Sequence, residues 1–258
     1  MSTPVAQRFA GKVAIVTGAS RGIGLAIAKR IVAEGGRVCI TARKEEALAE
    51  AAATFPPGTV TSLAGKADDP EHRAAVMDHV AATYGGLDVL VNNAGINPFY
   101  GTTMELELGA ARKLLEVNVI GTLGWVQAAY HHDGLAFKER RGNVVNLASV
   151  AGKVPSEGIG FYGVTKAAVM HLTMTLAAEL GPEIRVNAVA PAVVKTDFAK
   201  ALYEGREAEV SADYPLGRLG VPDDIAGAVM YFAAADAEWV TGQTLVLDGG
   251  LLSAGGTA

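Results

Sequence analysis

Short runs of β-branched and other apolar residues alternate with longer alanine-rich stretches along almost the whole chain. The run "KVAIVT" precedes "GIGLAIAKRIVAEG", and "RVCITA" precedes "KEEALAEAAATF". Later runs of the same character are "TVTSLA", "LDVLVN", "GNVVNLAS", "IRVNAVAP" and "QTLVLDGG". Such alternation is typical of right-handed β-α-β units, whose parallel strands form one sheet covered by helices. The pattern predicts an α/β, doubly wound fold with a mostly parallel, seven-stranded sheet and helices on both faces.

One segment lacks a strand where the alternation would place one. It is "KTDFAKALYEGREAEVSADYPLGRLG", residues 195–220. A chain of 258 residues, of which 50% are hydrophobic, can bury a large core, and α/β folds of this length are commonly single units. We expect one domain over residues 1–258, with a helical, lid-like insertion at about residues 195–220 over the site.

Charge and composition argue against several classes of protein. The formal net charge is -5, whereas non-specific nucleic-acid binders usually carry a basic face. The start, "MSTPVAQRFAGKVAIVTG", lacks the order of a secretory signal, and no uninterrupted apolar run reaches about 18 residues. We therefore expect a soluble, cytoplasmic protein that binds neither nucleic acid nor a membrane. Cys39 is the only cysteine, and the histidines offer only the adjacent pair His131 and His132, so we expect no disulfide and no metal site.

A glycine-rich turn, "TGASRGIG", follows the first predicted strand and leads into the first helix. Glycines let the backbone turn sharply beside a pyrophosphate, and free N–H groups at the helix start face the anion. Alone, such a turn could serve only as a tight connection; its place after the first strand favours a dinucleotide site. The residues expected to contact the cofactor here are Gly18, Ser20, Arg21, Gly22, Ile23 and Gly24.

The end of the second predicted strand indicates which dinucleotide is bound. An NAD-binding protein usually carries an acidic residue there, whereas this chain reads "CITARKEE" with Arg43 and Lys44. Arg21 in the glycine turn is expected to face the same region. Two guanidinium groups suit a 2'-phosphate, so we expect NADP(H), with NAD(H) as the weaker choice. The alternative is that Arg43 and Lys44 are solvated loop charges.

The stretch "YGVTK" places Tyr162 and Lys166 four positions apart in a helical segment. Residues with this spacing lie on the same helical face. A lysine cation close to a phenol favours the phenolate, which would bring Tyr162 within reach of acid/base work at neutral pH. An isolated pair of this kind could equally be a surface Tyr stacked on a Lys stem, so other motifs must decide.

Five motifs together resemble the short-chain dehydrogenase/reductase superfamily. They are "TGASRGIG", "NNAG" ending at Gly95, "VNVIGT" around Asn118, "NLAS" ending at Ser149, and "YGVTK". The resemblance extends from Gly11 to about Gly250 and implies a Rossmann fold. Within the superfamily the chain is similar to 3-oxoacyl-carrier-protein reductases and to NADPH-dependent carbonyl and retinol reductases.

The resemblance implies a role for each of four residues. Tyr162 is expected to be the acid/base group, and Lys166 to lower its pKa and bind the nicotinamide ribose. Ser149 is expected to orient the carbonyl, and Asn118 to hold a proton-relay water. This division suits hydride transfer, which builds negative charge on the carbonyl oxygen and needs a donor within hydrogen-bond distance.

The family pattern also implies further cofactor contacts and shows two departures. Asn93, Ala94 and Gly95 would line the adenosine side of the cleft, and Val194 and Thr196 would hold the nicotinamide carboxamide. Ala192 stands where the family usually has Gly, which puts the placement of the nicotinamide in question. Lys66, followed by Ala67, stands where an Asp commonly reaches the adenine, so a backbone-only contact at Ala67 is expected.

The leading hypothesis is an NADP(H)-dependent oxidoreductase that transfers a hydride between the nicotinamide and a ketone or secondary alcohol, with 3-oxoacyl thioesters among the substrates. The alternatives are a 3-oxoacyl-carrier-protein reductase of fatty-acid synthesis and a non-catalytic dinucleotide-sensing protein. An acyl-carrier protein is a candidate partner, for which Lys138, Arg140 and Arg141 would supply a basic rim near the cleft.

Family resemblance further implies a homotetramer. Aromatic side chains of a partly apolar substrate pocket are expected at Phe99, Tyr100, Phe161, Phe198 and Tyr203.

Overall fold

The computed structural model describes residues 7–256. Residues 1–6 and 257–258, which hold both ends of the expected domain, lie outside the described residues. The strands are β1 (Val13–Thr17), β2 (Arg37–Ala42), β3 (Val60–Ala64), β4 (Val89–Asn92), β5 (Asn143–Leu147), β6 (Arg185–Pro191) and β7 (Thr244–Leu247). They form one sheet in the order β3-β2-β1-β4-β5-β6-β7. Every neighbouring pair is parallel.

Nine α-helices are present in residues 7–256, and one of them is continued by an unusual turn. They are α1 (Gly22–Ala33), α2 (Glu45–Ala53), α3 (Pro70–Tyr84), α4 (Leu108–Leu115), α5 (Gly121–His131), α6 (Gly160–Leu180), α7 (Lys200–Tyr203), α8 (Glu207–Ala212) and α9 (Pro222–Ala233). A π-turn, Glu116–Ile120, joins α4 to α5. Short 3-10 turns lie at Thr103–Glu105, Asp133–Leu135, Val150–Gly152, Ala235–Ala237 and Leu252–Ala254. No helix in the described part of the chain is long and apolar enough to cross a membrane.

Helices cover both faces of the sheet, as the side chains of β1 show. Ala14 and Val16 pack in one core with α1, α2 and α9. Val13 and Ile15 pack in a second core with α3, α5 and α6. Because successive side chains of a strand point to opposite faces, this alternation places one core on each side. The predicted fold class, a doubly wound Rossmann fold with seven strands, is confirmed.

The direction in which successive strands are added to the sheet reverses between β1 and β4. The chain adds β2 and β3 on one side of β1 and then returns to add β4 on the other. Parallel sheets of this design bind ligands in the crevice at such a reversal, outside the carboxyl ends of the strands. The buried Thr17 Oγ1, at the end of β1, accepts hydrogen bonds from the backbone N–H of Asn93 and of Ala94, each at 3.0 Å. The two loops that border the crevice are therefore fixed to each other.

The segment expected to be a lid contains α7 and α8 and no strand. Its two ends are joined by an isolated parallel bridge between Val194 and Gly220. The backbone N–H of Lys195 also donates to the carbonyl oxygen of Gly220 at 2.9 Å. The two ends of the insertion therefore lie side by side, after the end of β6 and before the start of α9.

A glycine lets the turn after β5 pack directly on α6. Gly163 is buried next to Tyr162, and a Cβ atom at Gly163 would overlap the carbonyl oxygen of Ala151 in that turn. Contacts this close are available only to a residue without a side chain. The backbone of the Val150–Gly152 turn thus lies against the helix that carries Tyr162 and Lys166.

We expect the Gly163→Ala variant to be destabilised by about 1 to 3 kcal/mol, because the added methyl group forces the turn and the helix apart. Urea unfolding monitored by circular dichroism would measure the loss. Gly227→Ala in α9 is the matched control, since a Cβ there meets no atom within 4 Å. Alanine exceeds glycine in helix propensity, so Gly227→Ala should be neutral or stabilising. Equal effects of the two substitutions would contradict the close-packing account.

Candidate functional site

The glycine turn presents an uncapped helix N-terminus. Arg21 takes the N-cap position of α1 in extended conformation without a side-chain cap, and the first turn contains no acidic residue. The first backbone N–H groups of a helix have no partner within the helix and carry partial positive charge. A Cβ atom at Gly24 would lie 2.6 Å from Asn93 Nδ2 and 2.8 Å from the Gly18 carbonyl oxygen, so only glycine fits. Ser20 and Ile23 are partly exposed beside this turn, and the arrangement fits the pyrophosphate of a dinucleotide.

Asn93 serves the glycine turn as well as the cleft. Its amide Nδ2 donates to the Thr17 carbonyl oxygen at 2.8 Å and to the Gly18 carbonyl oxygen at 3.1 Å. Both amide protons are therefore used to hold the turn after β1. The expected contact of Asn93 and Ala94 with the adenosine stays a prediction, while their structural role in shaping the cleft is visible.

The two arginines expected to bind a 2'-phosphate lie at the ends of neighbouring strands. Arg43 follows β2, and Arg21 follows β1, whose extension is fixed by a hydrogen bond of 2.9 Å from Ala19 N–H to the Thr41 carbonyl oxygen. Arg43 is exposed. Arg21, in contrast, pairs with Asp197 of the insertion at 3.3 Å, with side chains 69% and 66% exposed. Exposed ion pairs contribute at most about 1 kcal/mol, so Arg21 can exchange this carboxylate for a phosphate.

Ala67 is the residue expected to contact the adenine through its backbone, but its carbonyl oxygen already accepts hydrogen bonds within the protein. It accepts hydrogen bonds from Arg73 Nη1 at 3.1 Å and from Trp125 Nε1 at 3.0 Å. Lys66 beside it is exposed. The N–H and the methyl group of Ala67 are therefore the parts of this residue that remain for the cofactor.

The loop after β6 brings Thr196 against the glycine turn. A Cβ atom at Gly22 would lie 3.3 Å from the Thr196 methyl group. Thr196 Oγ1 donates to the carbonyl oxygen of Val194 at 3.2 Å, and Val194 is buried. Ala192, the residue in place of the usual glycine, is not among the non-glycine residues with positive φ in the described chain, so its methyl group causes no backbone strain there. Whether Val194 and Thr196 hold the carboxamide stays a prediction.

Ser149 directly follows β5 and begins the turn that packs on α6. Its Oγ accepts a hydrogen bond from the backbone N–H of Ala151 at 3.2 Å and lies 3.4 Å from the carbonyl oxygen of Pro191. An interaction between the Ser149 hydroxyl and the Tyr162 phenol lowers the pKa of the phenol. The structure thus brings Ser149 and Tyr162 together, as the motifs predicted.

Lys166 is a buried cation. Only 4% of the residue is exposed, and Nζ donates to the carbonyl oxygen of Leu147 at 2.6 Å. Nζ also lies 5.6 Å from the centre of the Tyr162 ring. Burial lowers the pKa of Lys166 to about 8. A Cβ atom at Gly95 would lie 3.5 Å from this Nζ, so the absence of a side chain at Gly95 leaves space beside the ammonium group.

The pKa of Tyr162 differs in direction from the sequence-based expectation. Burial raises the pKa of the phenol, and its interaction with Ser149 lowers it by a smaller amount. The prediction of a net lowering by Lys166 is wrong for the protein without cofactor. The physical reason is that the cost of burying a phenolate exceeds the stabilisation available to it there. Tyr162 is therefore a protonated phenol at neutral pH, which is the form a proton donor needs.

Asn118 lies in the π-turn and is fully buried, at 1% exposure. Its Oδ1 accepts from the Ile96 N–H at 2.9 Å, and its Nδ2 donates to the Ile96 carbonyl oxygen at 3.0 Å and to Thr165 Oγ1 at 3.1 Å. The side chain is thus committed to protein contacts, and the proton-relay water stays a prediction. Sequence analysis missed Thr165, although its position directly before Lys166 in "YGVTK" was a signal.

Aromatic residues from two loops lie over Tyr162. The Phe198 ring centre is 6.1 Å from that of Tyr162, and Tyr100 Oη donates to the Phe198 carbonyl oxygen at 3.4 Å. Phe99 and Phe161 line a small cavity that reaches Tyr162. Four of the five expected pocket aromatics are thus near the Tyr162 phenol. The fifth, Tyr203, donates from Oη to the Thr196 carbonyl oxygen at 3.4 Å.

The basic rim expected near the cleft lies elsewhere. Lys138, Arg140 and Arg141 precede β5, so they are at the amino end of the sheet, whereas the cleft is at the carboxyl ends. Arg140 Nη2 donates to the buried carboxylate of Asp88 at 2.7 Å, before β4. The expectation was wrong because the strand that leads to Ser149 separates these residues from the site by its full length.

We expect the Lys166→Met variant to be inactive yet more stable than the parent chain, by up to about 3 kcal/mol at pH 7, because no ammonium group must then be buried. The folded pKa of Lys166, about 8, is below the unfolded value of 10.5. The burial cost is thus fully present below pH 8 and fades as the pH rises from 8 toward 10.5. Denaturant unfolding between pH 7 and pH 10 would measure the difference.

Lys29→Met is the control for that experiment, since Lys29 is exposed on α1. It should shift stability little and without this pH dependence. A Lys166→Met protein that is less stable than the parent chain at pH 7 would contradict the cost assigned to the buried ammonium group.

Comparisons with known proteins agree with this geometry. A family model described as Enoyl-(Acyl carrier protein) reductase matches residues 18–252. The chain is 39% identical over 254 residues to Dehydrogenase/reductase SDR family member 4 of Caenorhabditis elegans, covering 95% of this chain and 96% of that protein. It is 39% identical over 251 residues to the human protein of the same name, with 94% and 88% coverage.

Two solved structures share the fold. One is a short-chain dehydrogenase/reductase, glucose/ribitol dehydrogenase, from Brucella melitensis, with a TM-score of 0.89, 29% identity, and coverage of 95% of this chain and 98% of that one. The other is the ligand-free aldohexose dehydrogenase of Thermoplasma acidophilum, with a TM-score of 0.83, 32% identity and 96% coverage of each chain. The chain belongs to the short-chain dehydrogenase/reductase family and is an oxidoreductase of CH–OH and carbonyl groups.

Proposed function

We propose that the protein is an NADP(H)-dependent reductase of ketones, with activated ketones and 3-oxoacyl thioesters of small size as substrates, working also in reverse on secondary alcohols. The observation that carries the proposal is the position of Tyr162 between Ser149 and the buried Lys166. The uncapped start of α1 borders the same crevice. Such a site can hold a dinucleotide at the start of α1 and donate a proton from Tyr162.

The dinucleotide supplies the hydride when it is bound; the remaining chemistry belongs to this chain. As the carbonyl carbon receives the hydride, negative charge grows on the carbonyl oxygen. The Tyr162 hydroxyl, which is protonated at neutral pH, gives its proton to that oxygen, and the alcohol results. The Ser149 hydroxyl donates a hydrogen bond to the same oxygen and fixes its position.

Lys166 stabilises the phenolate that remains on Tyr162 after the proton has left. Because the ammonium group is desolvated, its attraction for the nearby phenolate is stronger than in water. Water can then return a proton to Tyr162. In the reverse direction Tyr162 must first lose its proton, so alcohol oxidation should be favoured at higher pH than ketone reduction.

A preference for NADP(H) over NAD(H) is supported by charge. The segment after β2 offers the exposed Arg43 where an NAD site would need an acidic residue. Within residues 7–256, the side chain of Arg21 is held by one exposed ion pair, with Asp197. Both guanidinium groups can therefore turn to a 2'-phosphate with little loss.

The 3-oxoacyl-carrier-protein reductase of fatty-acid synthesis is the second candidate. It is favoured by the description of the matching family model, which names an acyl-carrier-protein substrate. It is weakened by the position of Lys138, Arg140 and Arg141 at the amino end of the sheet. We therefore rank free carbonyl compounds and small thioesters above carrier-bound ones. A dinucleotide sensor without catalysis is disfavoured because it would not need a buried Lys166 beside Tyr162.

Tyr162→Phe should lower the turnover of ketone reduction by about 10²-fold to 10⁴-fold, since only the proton donor is lost while the ring still packs. Cofactor affinity should change little. Oxidation of NADPH with a panel of ketones, followed spectrophotometrically, would measure turnover, and fluorescence titration would measure affinity. Tyr100→Phe is the control, because it also removes a phenol oxygen near the site and should keep most turnover. Full activity of Tyr162→Phe would refute the assignment.

The unmodified enzyme should prefer NADPH to NADH by about a hundredfold, because two charge-assisted contacts to a 2'-phosphate contribute roughly 1.5 to 3 kcal/mol each before screening. Arg43→Asp should shrink or reverse this ratio. Steady-state kcat/KM for the two cofactors would measure it. Lys29→Asp changes the net charge equally on an exposed face of α1 and should leave the ratio unchanged. Equal use of both cofactors by the parent enzyme would count against the role of the arginines.

We also propose that the protein works as a homotetramer. Apolar side chains of the π-turn and α6 are half exposed: Ile120 by 52%, Val164 by 54% and Met174 by 49%. A second copy could cover them. Light scattering at micromolar concentration should give a tetramer, and Val164→Glu should lower the mass. Met104→Glu, at a residue 90% exposed in the 3-10 turn Thr103–Glu105, should not. A monomeric parent protein would contradict this proposal.

A further inference from the structure

Thr165 joins the helix of Tyr162 to the π-turn of Asn118. The residue is completely buried, at 0% exposure. Its Oγ1 donates to the carbonyl oxygen of Tyr162 at 2.7 Å and accepts from Asn118 Nδ2 at 3.1 Å. A threonine hydroxyl has one proton, and here that proton is used within α6. Toward Asn118, Thr165 can therefore act only as an acceptor.

This acceptor fixes the orientation of the Asn118 amide. The NH2 side of the amide must face Thr165, and the oxygen side is then free to face the Ile96 N–H, at 2.9 Å. The second proton of Nδ2 reaches the Ile96 carbonyl oxygen at 3.0 Å. Asn118 thus holds both backbone groups of Ile96, and only one of its two amide orientations satisfies all three partners.

The backbone held in this way forms the wall beside the buried ammonium group. Gly95 directly precedes Ile96, and a Cβ atom at Gly95 would lie 3.4 Å from Asn118 Oδ1 and 3.5 Å from Lys166 Nζ. A displacement of the Gly95–Ile96 backbone would therefore change the space next to Lys166. Thr165 is one residue from Lys166 and three from Tyr162, so all three lie within little more than one turn of α6. Thr165 therefore connects the segment that carries Tyr162 and Lys166 with the Gly95–Ile96 backbone.

The π-turn gives a reason why such a connection is needed. Asn118 lies in the π-turn Glu116–Ile120, and its carbonyl oxygen accepts a hydrogen bond from Thr122 Oγ1 at 2.8 Å. Turns of this kind are uncommon and depend on their surroundings to persist. The bond from Asn118 to Thr165 ties this turn to α6.

We propose that Thr165 is a positioning residue: its hydroxyl orients the Asn118 amide, which in turn holds the Gly95–Ile96 backbone against Lys166 in the geometry that cofactor binding and proton transfer require. The proposal rests on the oxidoreductase function proposed above. It concerns the arrangement of three segments, and Thr165 itself touches no reacting atom.

Thr173 provides a matched control within the same helix. It is also 0% exposed, its Oγ1 donates to the Val169 carbonyl oxygen at 2.8 Å, and it accepts from the Asn146 amide at 2.9 Å. The two threonines thus make the same pair of hydrogen bonds, but Thr173 joins α6 to the middle of the sheet. Removing either hydroxyl should destabilise the fold by a similar amount. Only removal of the Thr165 hydroxyl should change the geometry of the site.

The test compares Thr165→Val, Thr165→Ser and Thr173→Val. Valine removes the hydroxyl and keeps the shape, and serine keeps the hydroxyl. We expect Thr165→Val to lower kcat about tenfold or more and to weaken NADPH binding measured by fluorescence. Thr165→Ser should restore both to near the parent values. Thr173→Val should leave kcat and NADPH affinity within about twofold of the parent enzyme, despite a similar fall in Tm.

A second readout does not depend on activity. In the parent protein the buried side-chain amide of Asn118 should exchange its protons slowly, and Thr165→Val should accelerate this exchange in NMR spectra while Thr173→Val does not. If the parent protein reduced no carbonyl compound, the proposed function would fail. The rate of proton exchange at the Asn118 amide and the NADPH affinity would still test the positioning role of Thr165. The proposal is overturned if Thr165→Val keeps slow exchange and parent NADPH affinity, if it changes no more than Thr173→Val, or if Thr165→Ser restores nothing.

Discussion

The burial of one positive charge governs the rest of the site. Lys166 is 4% exposed and donates to the Leu147 carbonyl oxygen, with no carboxylate paired to it in residues 7–256. Burying an ammonium group in this way is costly, and it lowers the pKa of Lys166. The fold tolerates it because a large two-sided core stabilises the sheet from which Leu147 projects. A desolvated cation beside Tyr162 is of little use to packing, and the proposed function gives it a use in proton transfer.

Close backbone packing and two asparagine amides bring the parts of the site together. Gly163 lets the turn that begins at Ser149 lie against α6. Asn93 ties the loop after β4 to the glycine turn after β1. Asn118 and Thr165 tie the loop at Ile96 to α6. Residues distant in sequence therefore meet at the carboxyl ends of the central strands, where a parallel sheet leaves its crevice.

The fold could be predicted, and so could the meeting of Ser149, Tyr162 and Lys166 at one place, because their signals are local. The periodicity of the apolar residues predicted the strands and helices. The order of the motifs pointed to Ser149, Tyr162 and Lys166. The π-turn at Asn118 was missed because its sequence has the character of an ordinary helix, and the contacts of Asn118 with Ile96 and Thr165 join segments that are distant in the chain. The raised pKa of Tyr162 depends on burial depth, which a motif does not contain. The pair of Arg21 and Asp197 joins loops far apart in the chain. Arg140 was misplaced because sequence distance to Ser149 ignores which end of a strand a residue occupies.

The central claim is that a carbonyl carbon receives a hydride from the nicotinamide in this site while the side chains of this chain supply the proton. The most direct measurement reduces a ketone with NADPH that carries deuterium at the reactive position of the nicotinamide and analyses the product by mass spectrometry. The account predicts an alcohol with one deuterium on the carbinol carbon and a solvent-derived proton on oxygen. An alcohol without deuterium, or no alcohol from any ketone or thioester in a broad panel, would contradict it.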